Sequence, residues 1–147
     1  MAVTQYHTFG WEMEKRLHPF LEIAIGEKMS KTVSRYDSVD FESPQWYVEL
    51  KARSKQNATN PITSKTYATW LLPTCKSKMI DKNLVFFYYY EGDDTLFYIV
   101  YDQEQFDTFT KMWITKKDGT RQEHFLIPAD AFTLIPWERL KKRPKSA

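Results

Sequence analysis

The stretch LVFFYYYEGDDTLFYIVY, residues 84 to 101, decides the fold of this chain. Its two halves, Leu84 to Tyr90 and Thr95 to Tyr101, are rich in aromatic and β-branched residues, which favour strands. Between them lies Glu91-Gly92-Asp93-Asp94, a short polar segment with a glycine that is typical of a hairpin turn. The sequence therefore predicts a hairpin whose first strand is buried or half-buried, in preference to a platform for stacking bases.

The segments before this hairpin predict one helix and two strands. Trp11 to about Lys28 has apolar residues at helical spacing, and Gly26 suits the end of a helix. Lys31 to Phe41 favours one strand or two short ones, and Trp46 to Lys51 favours another strand. Because Ser43-Pro44 is a turn signal between them, we expect the two strands to form an antiparallel pair.

The remaining segments are assigned from their polarity, periodicity and turn residues. Arg53 to Thr63 is predicted as a loop, and Ser64 to about Asp81 as a helix. The elements after the first hairpin are a short helix, a second hairpin and a final short element: Gln103 to Met112, Trp113 to Lys116 with Arg121 to Ile127, and Ala129 to Leu140.

This order of helices and strands predicts the α/β class, as a single domain with a central mixed β-sheet flanked by helices. The core of this domain spans about residues 11 to 101. A C-terminal appendix with the second hairpin follows over 102 to 140, and a basic tail over 141 to 147. A chain of 147 residues, 42% hydrophobic and 16% aromatic, is long enough for one such core.

The composition says more about the cellular compartment of the protein than about its binding partner. The net charge is only +2, from 21 basic and 19 acidic residues, so the bulk charge alone is not evidence for a nucleic-acid partner. Cys75 is the single cysteine and cannot form an internal disulfide, which indicates a reducing compartment. The first ten residues lack the pattern of a signal peptide, and the longest apolar run has seven residues, too few for a bilayer. We therefore expect an intracellular protein with no membrane partner.

The chemistry is carried by Glu49-Leu50-Lys51, in the second predicted strand. Side chains alternate along a strand, so Glu49 and Lys51 share one face with Tyr47. With Ser43-Pro44 at the tip of the hairpin, Asp40 opposes Tyr47 and joins the same face. A slip of one residue would move Asp40 to the other face. In this register the backbones of Asp40 and Glu49 lie roughly 7–8 Å apart, so both carboxylates can reach one cation.

These groups are the ones that phosphodiester hydrolysis requires. Magnesium prefers one or two carboxylates together with waters and phosphate oxygens. A bound cation lowers the pKa of an attacking water, and a neighbouring lysine stabilises the negative charge that develops on phosphorus. Asp40 and Glu49 are therefore the predicted metal ligands, with the Leu50 carbonyl as a further ligand and Lys51 as the lysine. The alternative is that Glu49 and Lys51 form an ordinary solvated strand face.

Asp40, eight further residues, and Glu49-Leu50-Lys51 together resemble the D-x(n)-E-x-K core of the PD-(D/E)XK, or restriction-endonuclease-like, nucleases. Val39 replaces the proline of the family name, at a position that is degenerate in the family. The resemblance implies an α-β-β-β-α-β core and a Mg²⁺ or Mn²⁺ ion at Asp40 and Glu49. The stretch from Thr69 to Lys76 is also loosely similar to small nucleases of large DNA viruses and phages.

Such nucleases often add a glutamate from the first helix and a polar or basic residue from the helix after E-x-K. Glu12, Glu14 and Glu22 are candidates for the first role, with Glu14 favoured, although a surface role for Glu14 stays open. Thr69, Lys76 and Lys78 are candidates for the second, with Lys76 the proposed catalytic residue. The residues predicted to contact nucleic acid are Arg53, Lys55, Lys65, Thr69 and Lys78.

Two functions follow from these features. The first is a Mg²⁺-dependent endonuclease that acts on DNA with low or structure-based sequence selectivity, since the chain leaves little room for a specificity domain. Cleavage of both strands of a duplex requires two active sites, which a homodimer would supply. The second is a non-catalytic nucleic-acid-binding module on a similar α/β scaffold, in which the acidic pair is incidental.

Overall fold

The computed structural model describes residues 5–31, 40–54, 69–73, 82–115 and 117–136. In chain order the elements are α1 (Gln5–Ile25), β1 (Ser30–Lys31), β2 (Phe41–Glu42), β3 (Trp46–Arg53), β4 (Thr69–Pro73), β5 (Asn83–Tyr90), β6 (Thr95–Val100), α2 (Gln103–Asp107), β7 (Lys111–Thr115), β8 (Arg121–Pro128), a 3₁₀ turn (Ala129–Ala131) and β9 (Thr133–Ile135).

The described strands form two sheets. Six strands make a mixed sheet in the order β1-β2-β3-β5-β6-β9, in which only the β3–β5 pair is parallel. Three strands make an antiparallel sheet in the order β4-β8-β7. The predicted α/β class, with one domain around a central mixed sheet, is confirmed.

Strand β5 is the middle of the molecule, because both of its faces are buried. Val85, Phe87 and Tyr89 lie in a core with Leu17 and Leu21 of α1. The alternate side chains of β5 lie in a second core with residues of the three-stranded sheet and α2: Phe86, Tyr88 and Tyr90 pack with Phe106, Phe125 and Ile127. A strand covered on both faces reads as a continuous apolar run, which explains the run after Asn83.

Helix α1 covers one face of the mixed sheet. Met13, Leu17 and Leu21 recur every fourth residue and are buried, so they form one stripe along the helix. The helix ends where predicted: Gly26 has a φ of 77°, and its amide donates to the carbonyl of Glu22 at 2.9 Å. It begins at Gln5, earlier than the predicted Trp11.

The predicted helix from Ser64 to Asp81 is wrong over Thr69–Pro73, which is the part of it that the structure describes. This segment is β4, and Trp70 and Leu72 pair with Ile127 and Phe125 of β8. Threonine and tryptophan favour a strand, and a long-range partner strand overrides the helical pattern. The predicted helix from Gln103 to Met112 also ends early, at Asp107, since Lys111 and Met112 belong to β7.

Both predicted hairpins are confirmed. Strands β5 and β6 close at the pair Tyr90 and Thr95, with Asp94 at a φ of 53° in the turn. Strands β7 and β8 close at Thr115 and Arg121, with Gly119 at a φ of 88°. The predicted strand from Lys31 to Phe41 is described only at its two ends, and the basic tail lies outside the described residues. No helix in the described ranges has both the length and the apolar character that a membrane span needs.

Candidate functional site

The β2–β3 hairpin sets the position of the candidate site, and its register differs from the predicted one. Glu42 pairs with Tyr47 and Phe41 with Val48, whereas the sequence predicted Asp40 opposite Tyr47. The predicted register is therefore wrong by two residues. A two-residue shift leaves every side chain of a regular strand on its predicted face.

The turn itself explains the shift. The Ser43 amide donates to the Trp46 carbonyl at 2.9 Å, so Pro44 and Gln45 form the tip of the turn. The Glu27 carboxylate holds this tip, because it accepts from the Ser43 hydroxyl at 2.6 Å and from the Gln45 amide at 3.0 Å. A carboxylate from the segment after α1 thus selects the register, which the local turn signal could not reveal.

Asp40 lies at the edge of β3 instead of on the predicted face. Its amide donates to the Val48 carbonyl at 3.0 Å, and its Oδ2 accepts from the Leu50 amide at 2.8 Å. Backbone amides of a strand point along the sheet toward the neighbouring strand, so the carboxylate lies in the plane of the sheet. The physical reason is that β2 begins only at Phe41, so before it the side chain of Asp40 replaces a backbone carbonyl of the ladder.

Glu49 and Lys51 share one face of β3, as predicted. Val48 and Leu50 are in the core that contains Leu17 and Leu21, so the alternate residues face away from α1. In the parallel register Glu49 lies beside Phe86 and Lys51 beside Tyr88. Glu49 is only 9% exposed, while Lys51 is exposed. A carboxylate at such burial is costly unless it is paired or hydrogen-bonded, so Glu49 is not a solvated surface residue.

The amide and carbonyl of one strand residue point toward the same neighbouring strand. Because the Leu50 amide binds Asp40, the Leu50 carbonyl also points to the edge at which Asp40 lies. The carbonyl predicted as a metal ligand is therefore on the Asp40 side of β3. The Glu49 side chain leaves β3 one residue earlier, on the face away from α1.

Glu14 reaches the same edge from the helix. Its Oε2 accepts from the Lys31 ammonium at 2.6 Å, and its side chain is only 12% exposed. Burial raises the pKa of Glu14, and the negative charge of Asp40 and a hydrogen bond with it raise that pKa further, while Lys31 opposes the shift. Glu14 and Asp40 thus form a pair of like charges held together at low exposure.

The other first-helix glutamates are placed elsewhere. Glu12 is exposed. The Glu22 carboxylate accepts from the Met29 amide at 2.8 Å and lies 3.2 Å from the His18 ring nitrogen, so it fixes the chain that leaves the helix. Of the three candidates, the structure brings the favoured one, Glu14, next to Asp40.

Lys31 is a site residue that sequence reasoning missed. It pairs with Phe41 in the β1–β2 ladder, which places it beside the residue that follows Asp40. Its ammonium lies 5.5 Å from the centre of the Phe41 ring in addition to its contact with Glu14. A single lysine in a strand of two residues gives no signal in the sequence, because its partner is set by strand pairing.

The remaining predicted residues are dispersed. Arg53 is exposed at the end of β3, and its carbonyl accepts from the Glu91 amide at 2.9 Å. Thr69 begins β4 and pairs with Pro128, so it belongs to the other sheet. Four predicted residues lie outside the described part of the chain: Lys55, Lys65, Lys76 and Lys78.

The groups on this side of β3 suit a hard divalent cation that needs only one or two protein carboxylates. Within the described ranges, no three or more histidine, cysteine, aspartate or glutamate side chains are arranged to hold a metal ion. Magnesium needs fewer, since one or two carboxylates complete its shell with waters and phosphate oxygens. Glu14 and Asp40 are two such carboxylates, and burial together with the neighbouring charge of Asp40 raises the pKa of Glu14.

An apolar cavity of about 430 Å³ lies elsewhere, between the end of α1 and the β6–β9 part of the mixed sheet. Its walls include Ile25, Trp46, Phe87 and Leu134, and none of its lining residues is charged. Phosphodiester chemistry requires charged groups, so this cavity is separate from the candidate site.

Comparison of the chain with protein-family models, curated proteins and solved structures gave no match. Fold and site together define an α/β domain with an acidic site on the β2 side of β3, where Asp40 accepts from the Leu50 amide.

Proposed function

We propose that this protein is a metal-dependent nuclease that hydrolyses DNA phosphodiester bonds at the edge of β3. The observation that carries the proposal is the position of the Asp40 carboxylate, fixed at 2.8 Å on the Leu50 amide with Glu14 against it. The same strand supplies Glu49 and Lys51 on either side of that amide. The family resemblance of these residues supports the same reaction.

Each group has a role in that reaction. Asp40, Glu14 and the Leu50 carbonyl are the groups that would hold Mg²⁺ or Mn²⁺ at the edge, and Glu49 is the further ligand from the adjacent face. The metal supplies charge neutralisation and a water of lowered pKa when it is bound. Lys51 is exposed on the same face of β3 as Glu49, and its ammonium would orient the water or stabilise charge on the phosphate.

The expected substrate is DNA, cut with low or structure-based selectivity. Cleavage of both strands would require a pair of such sites, for which a homodimer is the simplest arrangement.

One observation favours the alternative, a nucleic-acid-binding module without catalysis. Lys31 already places a cation 2.6 Å from Glu14, so the acidic pair has a partner without any metal. In that case Glu14, Lys31 and Asp40 would be a structural contact that ties α1 to β1 and β3.

Nicking of supercoiled plasmid separates the two functions. Wild-type protein should nick it with Mg²⁺ or Mn²⁺ and stop when a chelator is added. Asp40→Asn keeps an oxygen that accepts from the Leu50 amide but loses the charge, so it should bind plasmid and fail to nick it. Asp94→Asn, a change in the exposed β5–β6 turn, is the matched control and should behave as wild type. Binding without metal-dependent nicking by the wild type would favour the alternative.

A further inference from the structure

The β7–β8 hairpin presents a large aromatic side chain to solvent. Trp113 is 56% exposed although it lies in the middle of β7. It pairs with Glu123, while Lys111 pairs with Phe125 and Thr115 with Arg121. Paired residues share a face, so Trp113, Lys111 and Arg121 lie on the same face of the hairpin as Phe125.

That face is the inner face of the three-stranded sheet. Phe125 and Ile127 are buried in the same core as Phe86 and Tyr88 of β5. Phe86 and Tyr88 lie beside Glu49 and Lys51 in the parallel register. Trp113 is therefore on the side of the mixed sheet to which Glu49 and Lys51 point.

A guanidinium lies against the indole. The Arg121 guanidinium carbon lies 5.4 Å from the centre of the Trp113 ring, close enough for a cation–π contact. Residues 111 to 121 contain four basic residues and one acidic residue, Asp118. The Asp118 carboxylate accepts from the amide and hydroxyl of Thr120 at 2.9 and 2.6 Å, so it is engaged within its own turn.

We propose that this hairpin binds single-stranded nucleic acid by stacking an unpaired base on Trp113. Arg121, Lys111 and Lys117 are exposed and would contact the flanking phosphates. An exposed aromatic ring among cations is the arrangement that proteins use for single strands, because every base offers a flat face once it is unpaired. In a duplex those faces are covered by neighbouring bases.

Charge alone does not account for this surface, because Glu123 lies directly opposite Trp113 on the same face. Stacking is therefore the main expected contribution. The inference deepens and rests on the proposed function, since it names DNA with a single-stranded segment as the substrate. The hairpin would hold that segment on the Lys51 side of the sheet.

The test is binding of a fluorescently labelled oligothymidine, followed by anisotropy in chelator so that no cleavage occurs. Trp113→Ala should weaken binding by about tenfold or more, as expected for the loss of one stacked base. Trp113→Phe should keep most of the affinity, which also guards against a folding defect. Trp11→Ala is the matched control, because Trp11 is also 56% exposed but lies on α1. It should bind as wild type.

Equal affinity of Trp113→Ala and wild type would overturn the inference, as would an equal loss in Trp11→Ala. If sedimentation showed that Trp113→Ala converts a dimer to a monomer with oligothymidine binding unchanged, the face would contact a second copy, which also overturns it. The plasmid assay keeps the two proposals apart. Trp113-dependent binding without metal-dependent nicking supports this inference and defeats the nuclease, whereas nicking without Trp113-dependent binding does the reverse.

Discussion

Among the described residues, two charged contacts join helix α1 to the mixed sheet, one at Glu14 and one at Arg16. In the first, Glu14 meets Asp40 and the ammonium of Lys31. In the second, Arg16 lies 3.9 Å from Glu91 and 4.0 Å from Asp94. Each contact joins one cation to two carboxylates. The first is on the β2 side of β3, and the second is at the turn of the β5–β6 hairpin.

Burial and distance separate the two contacts. The ion pair of Lys31 and Glu14 is 2.6 Å long, with the Glu14 side chain 12% exposed. In the second contact Asp94 is 52% exposed, and it also accepts from the Tyr89 hydroxyl at 2.6 Å. Exposed ion pairs contribute little, whereas burial makes a like-charged pair costly. One cation with two carboxylates is therefore a candidate cation site at β3, whereas the corresponding group at the hairpin turn is an ordinary structural contact.

The largest expected effect is the loss of cleavage when the metal is removed. Carboxylate and carbonyl oxygens suit hard cations, so Mg²⁺ or Mn²⁺ should be required and excess chelator should abolish nicking. Calcium should support DNA binding with little turnover, because its looser geometry activates water poorly. Plasmid nicking with each cation is the measurement. Full activity in chelator would show that the contact at Glu14 is not a cation site and does not differ in kind from the contact at Arg16.

Alanine substitution of the site residues should have the next largest effect. Asp40→Ala, Glu49→Ala and Lys51→Ala should each lower the nicking rate by about 100-fold or more, since each removes charge stabilisation in the transition state. The matched changes in the second contact, Glu91→Ala and Asp94→Ala, should leave the rate within a few-fold of wild type. Circular dichroism should show that all five variants remain folded. A wild-type rate in any one of the first three variants would contradict its role.

The sequence predicted the parts of this molecule that depend on neighbours in the chain. Both hairpins have strand-forming runs around a glycine-containing turn, and Gly26 ends α1 because it adopts positive φ. Strand β4 was not predictable in this way, since its partner β8 comes more than fifty residues later.

The site shows the same division between local and long-range information. Alternation along β3 placed Glu49 and Lys51 on one face. The edge position of Asp40 depends on the turn that Glu27 holds and on the hydrogen bond to Leu50. The position of Lys31 depends on the two-residue pairing between β1 and β2. Such contacts join segments that are distant in sequence, so local patterns carry no signal for them.

A smaller effect should appear in the pH dependence of stability without metal. The pKa of Glu14 is raised above its ordinary value of 4.5, so the folded state binds its proton more tightly than the unfolded state does. The free energy of unfolding should therefore gain a contribution that is complete below about pH 4.5 and is lost as pH rises through the raised pKa. Glu14→Gln should lose this dependence, and Glu91→Gln should keep it. Urea unfolding in chelator across this range is the measurement, and identical pH profiles for wild type and Glu14→Gln would contradict the expected effect.

The smallest expected effect concerns Asp40→Asn in chelator at neutral pH. The asparagine still accepts from the Leu50 amide, while the repulsion with Glu14 is removed and Lys31 remains paired with Glu14. The metal-free protein should therefore gain stability, by less than about 1 kcal/mol because Lys31 already offsets part of the repulsion. Asp94→Asn, in the exposed contact, should show no such gain. Millimolar Mg²⁺ should reverse the order of wild type and Asp40→Asn, because binding to the native state stabilises only the protein that keeps the ligand. Thermal melting of the three proteins in chelator and in Mg²⁺ measures both effects. If Mg²⁺ shifts the melting temperatures of wild type and Asp40→Asn equally, Asp40 does not bind the metal and the two contacts on α1 are of the same kind.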